Sequence, residues 1–348
     1  MRHLYPPNRS DEGDQSLLEM ACAHFLATTG MSIETTQHTD DGTADTLGTF
    51  KSKAANIPLV LEVKRQLNQS MVGAIAHRLK QHSKKGLLIA DYINPAMADR
   101  LKALDVWFID TAGNAYINQP PVFVYIKGNR PEQLLSKLPK MRAFQPTGLK
   151  IIFALLGNVE LVNSSYREIA QAADVALGTV GWVMNDLKNL GHLVDMGIKK
   201  RRLKERKRLF ERWVEAYPEQ LRPKLVIGRF TSKAPEWWKH KDLEKLGAYM
   251  GGEIAAEYLT GYLKPELITL YLRGKPQNVQ LAFKMRKDPN GEIELLKAFW
   301  PKTFDWHDHA TVSPILVYAD LLATADPRNL ETAQILYEQK IARYLIED

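Results

Sequence analysis

The stretch NSSYREIAQAADVALGTVGWVMNDLKNLG, residues 163–191, reads as two helices and the turn between them. Asn163, Ser164 and Ser165 offer side-chain oxygens that cap a helix start, and Ile169 and Ala173 follow one turn apart on a single face. DVALG is the turn. In TVGWVMNDLKNLG the apolar residues Val180, Val183, Leu187 and Leu190 recur at three- and four-residue spacing, and Gly191 stands where a helix closes. Upstream, LKIIFALLGN is apolar enough for a first helix ending at Gly157-Asn158, and downstream HLVDMG is a short strand. Helix, helix, turn, helix, strand is the order of a winged helix-turn-helix.

The basic run GIKKRRLKERKRLFER, residues 197–212, begins where the wing would turn. It holds nine Lys or Arg against two Glu, a local excess of +7 that equals the net charge of the whole chain. A charge run by itself is most simply a solvated face; directly after a helix-turn-helix it reads as a surface for a polyanion. Thr179, Trp182, Asn185 and Lys188 would then share one side with Lys199, Lys200, Arg201 and Arg202. Lys204, Arg206, Lys207 and Arg208 carry the charge into a helix, RKRLFERWVEAY, with Leu209, Phe210, Trp213 and Val214 at helical spacing. The start of the second helix, with Ser164, Ser165, Tyr166 and Arg167, adds a phosphate anchor. Cations neutralise phosphates and release counterions, while polar helix residues read base edges. The expected partner is double-stranded DNA, and a homodimer is left open.

At 348 residues the chain exceeds one ordinary core. Three domains are expected: an α/β domain over 1–143, a helix-turn-helix with basic wing and linker helix over 144–228, and an α+β domain over 229–348. Residues 1–15 read as a loose arm. A helix from Ser16, strands near 31–37, 44–50 and 58–64, a helix over 68–84, the strand GLLIA and a helix over 95–104 follow, then the strands VWFID and VFVYIK. Pro139 and Pro146 interrupt helical propensity at the junction over 134–148. In the last third the run GAYMGGEIAAEYLTGY contains a helix and ELITLYL is a strand, with a hairpin about DPNG joining VQLAFKMRK to GEIELLKAFW. Helices over PILVYADLLAT and NLETAQILYEQKIARYLI close the chain. No apolar run reaches the ~18–20 residues of a membrane helix, the N-terminus lacks an apolar stretch behind its charges, and Cys22 is the single cysteine, so a cytoplasmic protein is expected.

Three sets of residues invite chemistry. Glu62 and Lys64 in LVLEVK lie two apart on one strand face, Asp45 starts the strand before, and Gln66 and Gln69 lie just beyond. Two carboxylates can hold a divalent metal and a lysine can act on the attacking water, which makes Asp45, Glu62 and Lys64 a nuclease-like set. The plainer reading is an exposed ion pair whose loss leaves folding nearly unchanged. Trp306-His307-Asp308-His309 is only part of a zinc set, and Gly251-Gly252-Glu253 suits either an anion or close helix packing. No phosphate-binding loop, nucleophile elbow or dinucleotide fingerprint is present, so no cofactor or metal is expected.

DYINPAMADRLKALDVWFIDTAGNAYI, GGEIAAEYLTGYLKPELITLYL and VYADLLATADPRNLETA together resemble one group of AbiEi-type regulators. These are antitoxins of type IV toxin–antitoxin systems, often carried on mobile elements. The resemblance implies promoter binding through a winged helix, repression of the chain's own operon, and a nucleotidyltransferase-like toxin as partner. It also implies a restriction-endonuclease-like N-terminal domain, in which Asp45, Glu62 and Lys64 would be vestigial. The toxin's own Gly-Ser and paired-aspartate signature is absent. A metal-dependent DNA nuclease targeted by the winged helix is the alternative.

Overall fold

The computed structural model describes residues 9–36, 46–65, 67–131, 142–197, 200–233, 243–301 and 311–345, with the side chains of 9–13 excepted. Asp45, Gln66, Pro139, Lys199 and the 306–309 histidine pair lie outside the described residues. The chain divides into two compact units, Met1–Leu138 and Pro139–Asp348.

The first unit is built on a seven-stranded sheet in sequential order: β1 (Ser32–Thr36), β2 (Thr46–Lys51), β3 (Asn56–Lys64), β4 (Lys85–Ala90), β5 (Trp107–Asp110), β6 (Ala115–Gln119) and β7 (Val122–Ile126). The pairs β3–β4 and β4–β5 are parallel, and the flanking pairs are antiparallel. Each parallel step needs a crossover, which α2 (Val72–Gln81) and α3 (Pro95–Ala103) provide. Helix α1 (Arg9–Thr29) packs on β1, β3, β4 and β5, bringing Phe25 to Phe50 and thus to Trp107. It begins at Arg9, inside the stretch expected to be a loose arm. Asp14 ties it down through an ion pair with Arg65 at 2.6 Å. Strand β6 was not anticipated. Its turn, TAGN, is organised by Asp110, which is fully buried and accepts the backbone N–H groups of Ile93, Ala112 and Asn114 at 2.8–2.9 Å.

The second unit opens with α4 (Pro146–Gly157), α5 (Tyr166–Ala172), α6 (Leu177–Asn189) and the antiparallel hairpin β8 (Leu193–Asp195) and β9 (Arg201–Leu203). Pro146 starts α4 instead of interrupting a helix, because a first-turn residue needs no N–H donor and its φ is already set. Helix α7 (Arg206–Gln220) and the short α8 (Arg222–Leu225) lead into a five-stranded sheet of order β11-β12-β14-β10-β13. Its strands are β10 (Val226–Thr231), β11 (Ala248–Gly251), β12 (Ile268–Leu272), β13 (Arg286–Lys287) and β14 (Ile293–Lys297). Helices α9 (Gly252–Thr260), α10 (Pro276–Ala282), α11 (Pro314–Thr324) and α12 (Pro327–Leu336) complete it, α12 running through a π turn into α13 (Ala342–Leu345).

The helix expected within GAYMGGEIAAEYLTGY is α9, which begins at Gly252 after the strand AYMG. One expectation fails in this sheet. The hairpin about DPNG is absent: β10 lies between β13 and β14, and VQLA belongs to α10, started by Pro276. Its alternating apolar residues mimic a strand, but Val279 is buried while Leu281 is 79% exposed, as on a helix with one covered side. β12 and β14 therefore pair in parallel across α10. An aromatic core joins the opening helices to this sheet: Phe153 of α4 stacks on Trp213 of α7 at 5.5 Å and meets Phe299 at 5.0 Å. Trp213 donates its indole N–H to the Leu149 carbonyl at 2.8 Å.

Candidate nucleic-acid interface

Helix α6 covers its core with Val180, Val183, Met184 and Leu187, all buried. The opposite face carries Gly178, Trp182, Asn185 and Asn189, all exposed, with Lys188 at one edge and half-buried Thr179 at the other. Trp182 is 58% exposed, an unusual cost for a surface tryptophan unless a partner covers it. Gly178 and Gly181 have helical backbones and room for a Cβ: nothing lies within 4 Å of one, and the other's nearest neighbour is Tyr166 at 3.6 Å. The fold thus does not require glycine at either position, although each weakens a helix by ~0.5–1 kcal/mol relative to alanine. Together they leave bare backbone on the face that Trp182 and Asn185 share.

The hairpin stands beside this face. Lys188 of α6 pairs with Asp195 of β8. Arg201 donates its backbone N–H to Asn163 Oδ1 at 2.7 Å and its guanidinium to the Ser164 carbonyl at 2.6 Å, locking β9 to the start of α5. Between them lies an open groove of about 390 Å³ lined by Asn163, Ser164, Ser165, Asp195, Gly197, Lys200 and Arg201. Lys200, Arg202 and Arg167 are exposed. Ser165 caps α5 as part of a capping box: its hydroxyl accepts the Glu168 N–H, while its own N–H donates to the Glu168 carboxylate at 2.7 Å. Those bonds hold the Glu168 carboxyl below the usual range. The N-cap N–H of α5 therefore already has an anion in the Glu168 carboxylate.

Past the hairpin, Lys204 is exposed and ties its N–H to the His192 carbonyl at 3.0 Å. Arg206, Lys207 and Arg208 occupy the first turn of α7, where the helix dipole disfavours cations. Arg206 donates to the Tyr344 carbonyl at 3.3 Å, and Arg208 pairs with Glu205 at 3.2 Å. His192 is buried at the hairpin base, and burial together with Arg212 and Arg208 lowers its pKa to about 4, so it is neutral at physiological pH. Arg212 lies over the Phe144 ring at 4.2 Å, pushed down to about 10 by burial. The residue that sequence reasoning missed is Arg142. It sits 40 positions before Trp182 and places its guanidinium 4.4 Å from that ring's centroid, a pairing no local pattern encodes.

The nuclease-like residues of the first unit look different once folded. Glu62 is 8% exposed, and Arg78 of α2 grips its carboxylate through both Nε, at 3.0 Å, and a terminal nitrogen. Lys64 approaches the same carboxylate at 3.4 Å. Glu62 and Lys64 do share a face, but Glu62 is buried and Lys64 only partly exposed, and two cations already lie on the Glu62 carboxylate oxygens. Among the described residues no group of three His, Cys, Asp or Glu could hold a metal. Gln69 is exposed in the turn before α2. Removing Glu62 takes a buried bidentate carboxylate from Arg78, so folding is expected to weaken rather than stay unchanged. Glu62→Ala should cost about 2 kcal/mol, a buried-pair loss reduced because Lys64 and Arg78 keep 22% and 15% exposure. Urea unfolding of the full chain measures it, and a change below a few tenths of a kcal/mol would mean the pair is solvated.

The Gly251-Gly252-Glu253 motif is a packing device. A Cβ on Gly251 would lie 2.6 Å from the Tyr271 ring, and Gly252 has φ +48° beside Thr269. Glu253 accepts the N–H groups of Glu266 and Leu267 and the Asn329 amide. No curated protein and no solved structure matches the chain. No helix among the described residues is long and apolar enough to cross a membrane. What does match is a family: residues 202–342, from the second strand of the hairpin into the closing helices, fit the model of the AbiEi antitoxins, transcriptional regulators of type IV toxin–antitoxin systems.

Proposed function

We propose that this chain is a DNA-binding repressor and antitoxin whose α4–α6 and β8–β9 form a winged helix-turn-helix, with α6 as the recognition helix. The observation that carries this reading is the exposed face of α6, where Trp182, Asn185 and Lys188 surround bare glycine backbone beside a hairpin bearing Lys200, Arg201 and Arg202. The family match supports regulation and antitoxicity, but it begins at residue 202, after α6, so the DNA contact rests on geometry. On this reading the protein works in the cytoplasm, represses its own operon and has a nucleotidyltransferase-like toxin as partner. The endonuclease-like first domain is a non-catalytic scaffold, consistent with Glu62 being held by Arg78.

Asn185 is the residue best placed to read a base edge, since an amide can pair bidentately with adenine. Asn185→Ala should weaken binding to the operator duplex by ~1–3 kcal/mol while leaving random duplex nearly unaffected, measured by gel shift. Equal losses on both duplexes would mean that Asn185 touches only the backbone. The rival nuclease reading predicts that supercoiled plasmid is nicked with Mg²⁺ or Mn²⁺ by the wild type and not by Glu62→Ala or Lys64→Ala. Intact plasmid after long incubation is the result expected here.

A further inference from the structure

Two arginines stand at opposite edges of the exposed α6 face, each laid against an exposed aromatic ring. At the Thr179–Asp186 edge, Arg142 belongs to the single helical turn Arg142–Phe144, which is fixed to α6 by the Ala143 N–H donating to Asp186 at 3.1 Å. Its guanidinium lies 4.4 Å from the Trp182 centroid. At the Gly181–Lys188 edge, Tyr166 lies beside Gly181, and the Arg201 guanidinium sits 5.2 Å from its centroid. Trp182 is 58% and Tyr166 42% exposed. Among the described residues neither guanidinium pairs with a carboxylate, unlike Lys188, Arg208 and Arg222 of the same unit.

A guanidinium lying over a ring keeps edge N–H groups for other partners; Arg201 spends one terminal nitrogen on the Ser164 carbonyl. The remaining N–H groups suit the oxygens of a phosphate. Leaving two ordered cations without counter-ions on one surface makes sense if the anion comes from outside. The spacing suits a duplex: a helix with its side chains is ~10–12 Å across and the major groove ~12 Å wide, so cations at both edges of an inserted helix meet the phosphate rows on the two lips.

We propose that Arg142 and Arg201 are paired phosphate clamps, one for each strand of a B-form duplex, held in position by Trp182 and Tyr166. This rests on the reading of α6 as a recognition helix and adds to it the residues that set its seat in the groove. It makes Trp182 a positioning residue for Arg142.

The test uses the full chain and a fluorescently labelled random-sequence duplex, titrated by anisotropy across a KCl series. Arg142→Gln and Arg201→Gln should each reduce the slope of log K against log salt by ~0.9, and the double variant by ~1.8. Arg142→Lys should keep the slope of the wild type but bind more weakly, since it retains the charge and loses the fork. Trp182→Ala should weaken wild-type binding yet have little further effect in the Arg142→Gln background. Because Arg201 also bonds the Ser164 carbonyl, Arg201→Lys serves as the second variant if Arg201→Gln lowers the melting temperature, again with the slope retained and affinity lost. A wild type that binds with a steep salt slope while both Gln variants match it would overturn the clamps and leave DNA binding standing. A wild type that fails to bind duplex even at low salt would remove the recognition helix and the clamps together.

Discussion

Asp320→Ala should unfold the second unit at markedly lower urea, a loss of ~3–5 kcal/mol, the scale for a buried ion pair deprived of one partner. Asp320 is 4% exposed on α11 and accepts Arg222 Nε at 2.9 Å and the Tyr271 hydroxyl at 2.9 Å. Tyr217 and Tyr271 share a 2.5 Å hydroxyl contact, and Arg222 also pairs with Glu294 on β14. One carboxylate thus anchors α7, α8, β12, β14 and α11 to each other. Burial pushes its carboxyl up while Arg222 pulls it back down. In its absence Arg222 keeps one acid partner, and the buried Tyr271 hydroxyl, which also bonds Tyr217, loses its acceptor. Asp320→Asn, which keeps an acceptor oxygen, should lose less. Urea unfolding reads both, and an Asp320→Ala midpoint equal to that of the wild type would mean that water replaces the carboxylate.

The second large effect concerns charge. Replacing Lys199, Lys200, Arg201 and Arg202 together with Ala removes up to four phosphate contacts, so the slope of log K against log salt should fall by up to ~3.6. Affinity for any duplex should then collapse near physiological salt while the fold survives, because Leu193 and Leu203, buried at 3% and 2%, hold the hairpin to its helices. An unchanged slope in salt titrations would return the run to an ordinary solvated surface.

What was legible in the sequence was local. The Ser165 cap, the α6 periodicity and Gly191, at φ +77°, are all encoded within a few residues, and the structure has them at those positions. The parallel core of the first sheet was readable for the same reason, since β3, β4 and β5 are short apolar runs separated by helices. The misses all depended on distant partners. VQLA alternates like a strand, and only the packing of Val279 decides for helix. Glu62 reads as a surface acid until Arg78 arrives from α2. IDTAGNAY and YADLLATADPRN carried the resemblance, yet their roles appear only in the fold: Asp110 builds the turn before β6, Asp320 ties the buried network, and Asp326 caps α12. The basic run was legible as charge but not as geometry. Arg201, Arg206, Arg208 and Arg212 each hold a specific protein group, and Arg142, outside the run, joins the surface.

The most direct test of the recognition-helix account is DNase I footprinting of the DNA upstream of the chain's own reading frame, with wild type and Asn185→Ala side by side. The account predicts one bounded protected segment with wild type, lost at equal concentration with Asn185→Ala, while random DNA shows none. Uniform coverage of any sequence, or no protection at all, would contradict it.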